Sequence, residues 1–117
     1  LPACTSFGAN AAQYCYSLVS LALPLCTSFG ANAVQYCRKL SSVILGPNCT
    51  LIDSLALDGV RNFVSLRIEA TTPPTLASVA SLADYDPRLL ISVPSASVDA
   101  YKAATNWSAF ANRIVGY

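Results

Sequence analysis

The chain has no histidine, and charged residues make up only 11% of it, with seven basic and six acidic side chains that sum to +1. Without histidine a serine or cysteine nucleophile lacks its commonest general base, and no Gly-x-Ser-x-Gly elbow occurs. Scarce charge also argues against nucleic acid as a partner. A phosphate-binding surface needs clustered cations, and Arg38-Lys39 is the one adjacent basic pair. Long apolar runs are absent as well. The stretch Leu18 to Cys26 is interrupted by Ser20 and Pro24, well short of the roughly 20 residues that a membrane-spanning helix needs. No phosphate loop is present. The chain opens at Leu1-Pro2 with neither Met nor a basic leader, and we expect it to be a fragment of a longer protein.

Apolar residues, by contrast, are plentiful at 54%. That is ample for one folded domain and argues against disorder. Their arrangement is repetitive. Residues 1–22 and 23–44 differ at only 7 of 22 aligned positions, and a third, divergent copy with one inserted residue runs over 45–67. Aligning the copies gives columns that stay apolar where identity is lost. Phe7, Phe29 and Ile52 form one; Ala11, Ala33 and Ala56 the next; then Ala12, Val34 and Leu57; then Cys15, Cys37 and Val60. Three further columns are Leu18–Leu40–Phe63, Leu21–Val43–Leu66 and Leu23–Leu45–Ile68. Stacked repeats need such columns to bury a continuous core.

The last three columns spell L-x-x-L-x-L, the strand segment of a leucine-rich repeat of about 20 to 29 residues. Period-two alternation places Leu21 and Leu23 on one face. The expected fold is an α/β solenoid. It would be a right-handed leucine-rich-repeat coil with short strands on the concave face and short helices or 3₁₀ turns, as at Gly8 to Cys15, on the convex face. A C-terminal helical cap would close it. The expected divisions are three repeats over 1–68, an irregular last repeat over 69–94 with a final strand, and the cap over 95–117.

The stretches Phe7-Gly8-Ala9-Asn10-Ala11-Ala12-Gln13-Tyr14-Cys15-Tyr16-Ser17-Leu18 and Phe29-Gly30 through Leu40 resemble the bacterial leucine-rich-repeat family called BspA-like. Its repeats read I-G-x-x-A-F-x-x-C-x-x-L-x-x-I-x-I-P. The run from Val93-Pro94 through Trp107 and Ile114 is similar to the way such proteins end. Here Ala12 and Val34 stand where the family has Phe, and Phe7 and Phe29 where it has an aliphatic residue. Volume moved between neighbouring columns is the sort of exchange cores tolerate. The resemblance implies a secreted or cell-surface protein with a binding or adhesive role. It is weak guidance on function, since one fold hosts many.

Beyond Ile68, Thr71 to Thr75 reads as a loop, Leu76 to Leu82 as a short helical turn, Asp84 to Arg88 as a second loop, and Leu89 to Val93 as a last strand ended by Pro94. Ser97 suits a helix N-cap with Asp99 in the first turn, and the helix would run to about Ala104. Asn106 would cap a second short helix carrying Trp107, Phe110 and Ile114.

Five cysteines fall into two columns, Cys4–Cys26–Cys49 and Cys15–Cys37. Their spacings do not match the close pairs of zinc sites. A buried core role fits best. Residues stacked on neighbouring strands sit near the roughly 4.8 Å strand spacing, within disulfide Cα range, so a bridge stays open. Asp84 and Asp86 flank Tyr85 and read as a solvated turn rather than a catalytic pair or a calcium site. Asn48-Cys49-Thr50 and Asn106-Trp107-Ser108 match a glycosylation sequon but read as structural. No metal or cofactor is called for, and no enzymatic activity is expected.

The candidate binding surface is the outward set of the strand segments: Val19, Ser20 and Ala22; Ser41, Ser42 and Ile44; Val64, Ser65 and Arg67. Solenoids commonly use such a face for protein partners. Tyr14, Tyr16 and Tyr36 form a second candidate patch. The open first repeat would permit self-association. The expected function is a non-catalytic protein-binding or adhesion scaffold, with a structural subunit or terminal cap of a surface layer or virion as the alternative.

Overall fold

A computed structural model describes residues 6–7, 17–31, 33–34, 36–53, 57, 60, 63–78 and 88–117. Two parallel sheets organise them. The first is four-stranded, in the order β1 (Ser6–Phe7), β3 (Ser28–Phe29), β5 (Leu51–Ile52), β7 (Thr75–Leu76). The second is five-stranded, in the order β2 (Ser20–Leu23), β4 (Ser42–Leu45), β6 (Ser65–Ile68), β8 (Leu90–Val93), β9 (Ile114–Gly116). Up to β8 successive strands fall in alternate sheets. Each strand hydrogen-bonds the one that follows it in its own sheet, in parallel register.

The register explains the sequence columns. Leu21 pairs with Val43, Val43 with Leu66, Leu66 with Ile91 and Ile91 with Ile114, and all five are buried. In the smaller sheet Phe29, Ile52 and Leu76 pair in sequence and are buried. One apolar cluster takes in these side chains from both sheets, together with Leu23, Leu45, Ile68, Phe63, Tyr101 and Trp107. Fully burying a Val, Leu or Ile side chain is worth about 1.5–3 kcal/mol, so each column is a substantial stabilising unit.

Between strands the chain turns tightly. The amides of Ala33, Cys37 and Leu40 donate to the carbonyls three residues back, at Gly30, Val34 and Cys37. The described residues of this stretch form turns, and Tyr36 sits there with φ 62°. At the end of β4, Gly46 lies against the backbone of Pro24, leaving no room for a Cβ, while its amide donates to the Leu23 carbonyl. Only glycine permits that approach between neighbouring passes of the chain.

Three expectations need correction. Leu76 lies in β7, because its backbone pairs with β5, and is not part of a helix. Leu90–Val93 is not the last strand: Ile114 to Gly116, read as the end of a second helix, pairs with it as β9. The segment that Asn106 precedes is a 3₁₀ helix, Trp107–Arg113, and Asn106 does not cap it through its side chain. Helix α1 (Val98–Ala103) does have Ser97 at its N-cap position and Asp99 in its first turn, yet no side-chain cap bond forms. The Ser97 hydroxyl donates instead to the Thr71 carbonyl at 2.7 Å.

Residues 95–117 are fastened by side-chain donors to backbone carbonyls of the preceding chain. Tyr101 Oη donates to Ala70 O at 2.7 Å, Trp107 Nε1 to Pro74 O at 2.7 Å, Asn106 Nδ2 to Leu76 O at 2.6 Å and Arg113 to Leu89 O at 3.3 Å. The Tyr101 and Trp107 rings meet edge to face, with centroids 5.5 Å apart. Asn106 reaches its acceptor from a positive φ of 67°, a sign of φ uncommon for residues other than glycine and commoner for asparagine than for most. Its target lies on β7, an edge strand of the smaller sheet among the described residues. A bare edge is a template for unwanted pairing, and the Asn106 amide occupies part of this one.

Candidate functional site

Alternation along β2, β4 and β6 turns one set of side chains into the core and the other outward. Six of the nine candidate residues, Ser20, Ala22, Ser42, Ile44, Ser65 and Arg67, share this outer face on β2, β4 and β6, and the other three each immediately precede one of these strands. Val19, Ser41 and Val64 form the entry row, joined by backbone bonds from Ser41 N to Val19 O and from Val64 N to Ser41 O. Ser20, Ser42 and Ser65 pair in the next row, and Ala22, Ile44 and Arg67 in the third. Val19, Ser20, Ala22 and Ile44 are exposed; Ser41, Ser42, Val64, Ser65 and Arg67 are half-buried.

The rows extend further than the sequence suggested. Leu90 continues the serine row from Ser65, and Ser92 and Val115 continue the third row from Arg67. Tyr117 completes the face: the Arg67 guanidinium carbon lies 3.8 Å from its ring centroid. Leu90 was reachable from the sequence, since Leu89 to Val93 was read as a strand and alternation turns residue 90 outward. Val115 and Tyr117 were not, because the local sequence pattern around Ile114 reads as helical. Val19 (54%), Leu90 (51%), Tyr117 (47%), Ile44 (38%) and Val115 (38%) are among the most exposed large apolar side chains of the described residues.

Electrostatically the face is quiet. Arg67 Nε lies 3.7 Å from Glu69 Oε2, with both side chains over a third exposed. Such a pair contributes at most about 1 kcal/mol. Arg67 Nε is itself buried and makes no hydrogen bond, so stacking on Tyr117 supplements the weak ion pair in holding the guanidinium; an exposed cation–π contact adds about 0.5–1 kcal/mol. The face thus grades from Ser20 and Ala22 on β2, through the cation Arg67 on β6, to Leu90 and Val115 on β8 and β9 with Tyr117 beside them.

Elsewhere, shallow grooves of about 360 and 430 Å³ flank β7. One is lined by Pro73, Leu76, Asn106 and Trp107, the other by Asn48, Cys49, Thr50 and Thr72. Neither brings an acid and a base together. Among the described residues no three His, Cys, Asp or Glu side chains converge as metal ligands, and no helix is long and apolar enough to cross a membrane. Cys26, Cys37 and Cys49 are buried. Burial, then the nearby Cys26 thiol, pushes the Cys49 thiol up from 9.0 to about 11, so it is protonated near neutrality and the nucleophilic thiolate is scarce there. Burial likewise raises the Tyr101 phenol, with Cys49 and Tyr117 adding to the effect. Tyr36 is exposed. Tyr14, Tyr16, Cys4, Cys15, Asp84 and Asp86, and the turn expected at Gly8 to Cys15, lie outside the described residues. No protein-family model matches the chain, and no curated protein matches it.

Proposed function

We propose that the chain is a leucine-rich-repeat solenoid that binds protein partners through the outer face of its five-stranded sheet. The observation that carries this reading is the in-register surface formed by Ile44, Arg67, Leu90, Val115 and Tyr117. Exposed aliphatic side chains beside a stacked Arg–Tyr pair have the composition of interface anchors, and they lie on a continuous strand surface of the kind solenoids use. Residues 95–117 serve as the terminal cap. The resemblance to BspA-like proteins supports a bacterial, extracellular or cell-surface setting and a non-catalytic adhesive role.

The test is capture of extracellular proteins on the immobilised chain, compared with an Ile44→Glu/Leu90→Glu double variant and a control, Arg38→Glu, in an exposed turn outside the strands. At least one protein should be retained by the wild type and the control and fall more than tenfold on the double variant. Equal retention on all three would contradict the reading.

A second reading is a structural subunit that self-associates through its N-terminal edge. It is favoured by β2, which among the described residues pairs only with β4, and by a net charge of +1, since charge near zero promotes association. Light scattering over a range of concentrations separates the two. A discrete oligomer supports the subunit, and a monomer supports the binding module.

A further inference from the structure

Cys26 and Cys49 hold equivalent places on successive passes of the chain, outside the five-stranded sheet. Cys26 and Cys49 each precede a strand of the smaller sheet by two residues, β3 and β5, which pair Ser28 with Leu51. The register holds right up to the cysteines, because Thr50 N donates to Thr27 O at 2.8 Å. Both cysteines close equivalent turns, with Cys26 N bonded to Leu23 O and Cys49 N to Gly46 O. Both are thiols pointing the same way: Cys26 Sγ donates to Ser28 O at 2.9 Å and Cys49 Sγ to Leu51 O at 3.7 Å. Residues at matching positions on paired parallel strands lie about 4.8 Å apart, inside the Cα range of about 4.4–6.8 Å over which a disulfide closes. Among the described residues no third His, Cys, Asp or Glu converges with them as a metal ligand, and two stacked thiols at this spacing have the geometry for oxidation to a disulfide.

We propose that Cys26 and Cys49 are a disulfide-forming pair, closed by exchange with a low-molecular-weight disulfide such as oxidised glutathione. One thiol, as its thiolate, attacks a glutathione sulfur, breaking that S–S bond and releasing a glutathione thiolate. The other thiolate then attacks the protein sulfur of the mixed disulfide and releases the second glutathione. Two protein thiols are oxidised, one glutathione disulfide is reduced to two thiols, and the two protons lost by the cysteines end on glutathione. Burial makes closure slow near neutrality, and it accelerates as pH rises toward the thiol range.

The experiment incubates the folded full chain with oxidised glutathione at mildly alkaline pH, alkylates remaining thiols, and digests with trypsin without reduction. Cleavage follows Arg38, Lys39 and Arg61, so the bond joins the peptide 1–38 to the peptide 40–61. Fragmentation should place the link at Cys26 and Cys49. The joined peptide should vanish in Cys26→Ser and in Cys49→Ser and persist in Cys37→Ser. Absence of the joined peptide in the wild type would overturn the proposal, as would fragments placing the link at another cysteine of 1–38. If a serine variant fails to fold, the fragment map of the wild type decides alone.

Discussion

In the five-stranded sheet the core position held by Leu21 on β2 passes to Val43, Leu66, Ile91 and Ile114 on the strands that follow. Any branched aliphatic side chain serves there, because the slot asks only for apolar volume pointing inward. Residues 95–117 are held differently. Ser97, Tyr101, Asn106, Trp107 and Arg113 each place one donor on one carbonyl of the chain between Ala70 and Leu89. A column tolerates exchange; a donor aimed at a buried carbonyl does not, since losing it strands the acceptor. The repeats are therefore robust in sequence, and the terminal segment is specific.

The largest effect is expected at Trp107, which is wholly buried and also satisfies Pro74 O. Trp107→Ala should cost about 3–5 kcal/mol, read as a fall in the urea midpoint. A loss under about 0.5 kcal/mol, the range of surface substitutions, would mean that the terminal segment does not anchor as described. The exception on the repeat side comes next. Gly46→Ala puts a Cβ against Pro24 backbone, and overpacking of this kind costs about 1–3 kcal/mol. Tyr101→Phe keeps the ring but abandons Ala70 O, for about 1–2 kcal/mol. The smallest effect belongs to a column: Ile91→Leu, which conserves volume, should change stability by less than about 1.5 kcal/mol.

Alkaline pH probes both regions at once. The Cys49 thiol and the Tyr101 phenol are raised in the folded state, chiefly by burial, so between the unfolded and folded values the native state holds more protons. Stability from these groups is complete below pH 9, the ordinary thiol value, and falls as pH climbs toward about 11, with Tyr101 extending the loss upward. Urea titrations across that window should show the decline, and Cys49→Ala should remove its lower part. A flat profile in the wild type would mean these groups are not shielded from water.

The columns were legible because their physics is local: alternation and a fixed repeat length dictate Leu21, Val43 and Leu66 without reference to distant chain. The buried roles of Trp107 and Phe110 were legible from their size. The smaller sheet was not, since strands as short as Ser28–Phe29 and Thr75–Leu76 carry too few residues for a period-two signal. The strand at Ile114 was missed because tertiary pairing with β8 overrides a weak local helical pattern. The same error hid Val115 and Tyr117, and with them the half of the outer face richest in apolar and aromatic surface. The carbonyls chosen by Tyr101, Asn106 and Trp107 were invisible for a related reason: which backbone group a donor finds depends on how the whole chain is arranged.

The claim that everything else rests on is the direction each strand residue faces. A slip of one residue would move the whole apolar set to the other side. Carbene footprinting of the folded chain, read residue by residue by mass spectrometry, tests this directly. Val19, Ile44, Leu90 and Val115 should label strongly while Leu21, Val43, Leu66 and Ile91 stay protected. Labelling of Val43 and Ile91 with protection of Ile44 and Leu90 would contradict the register, and with it the proposed binding face.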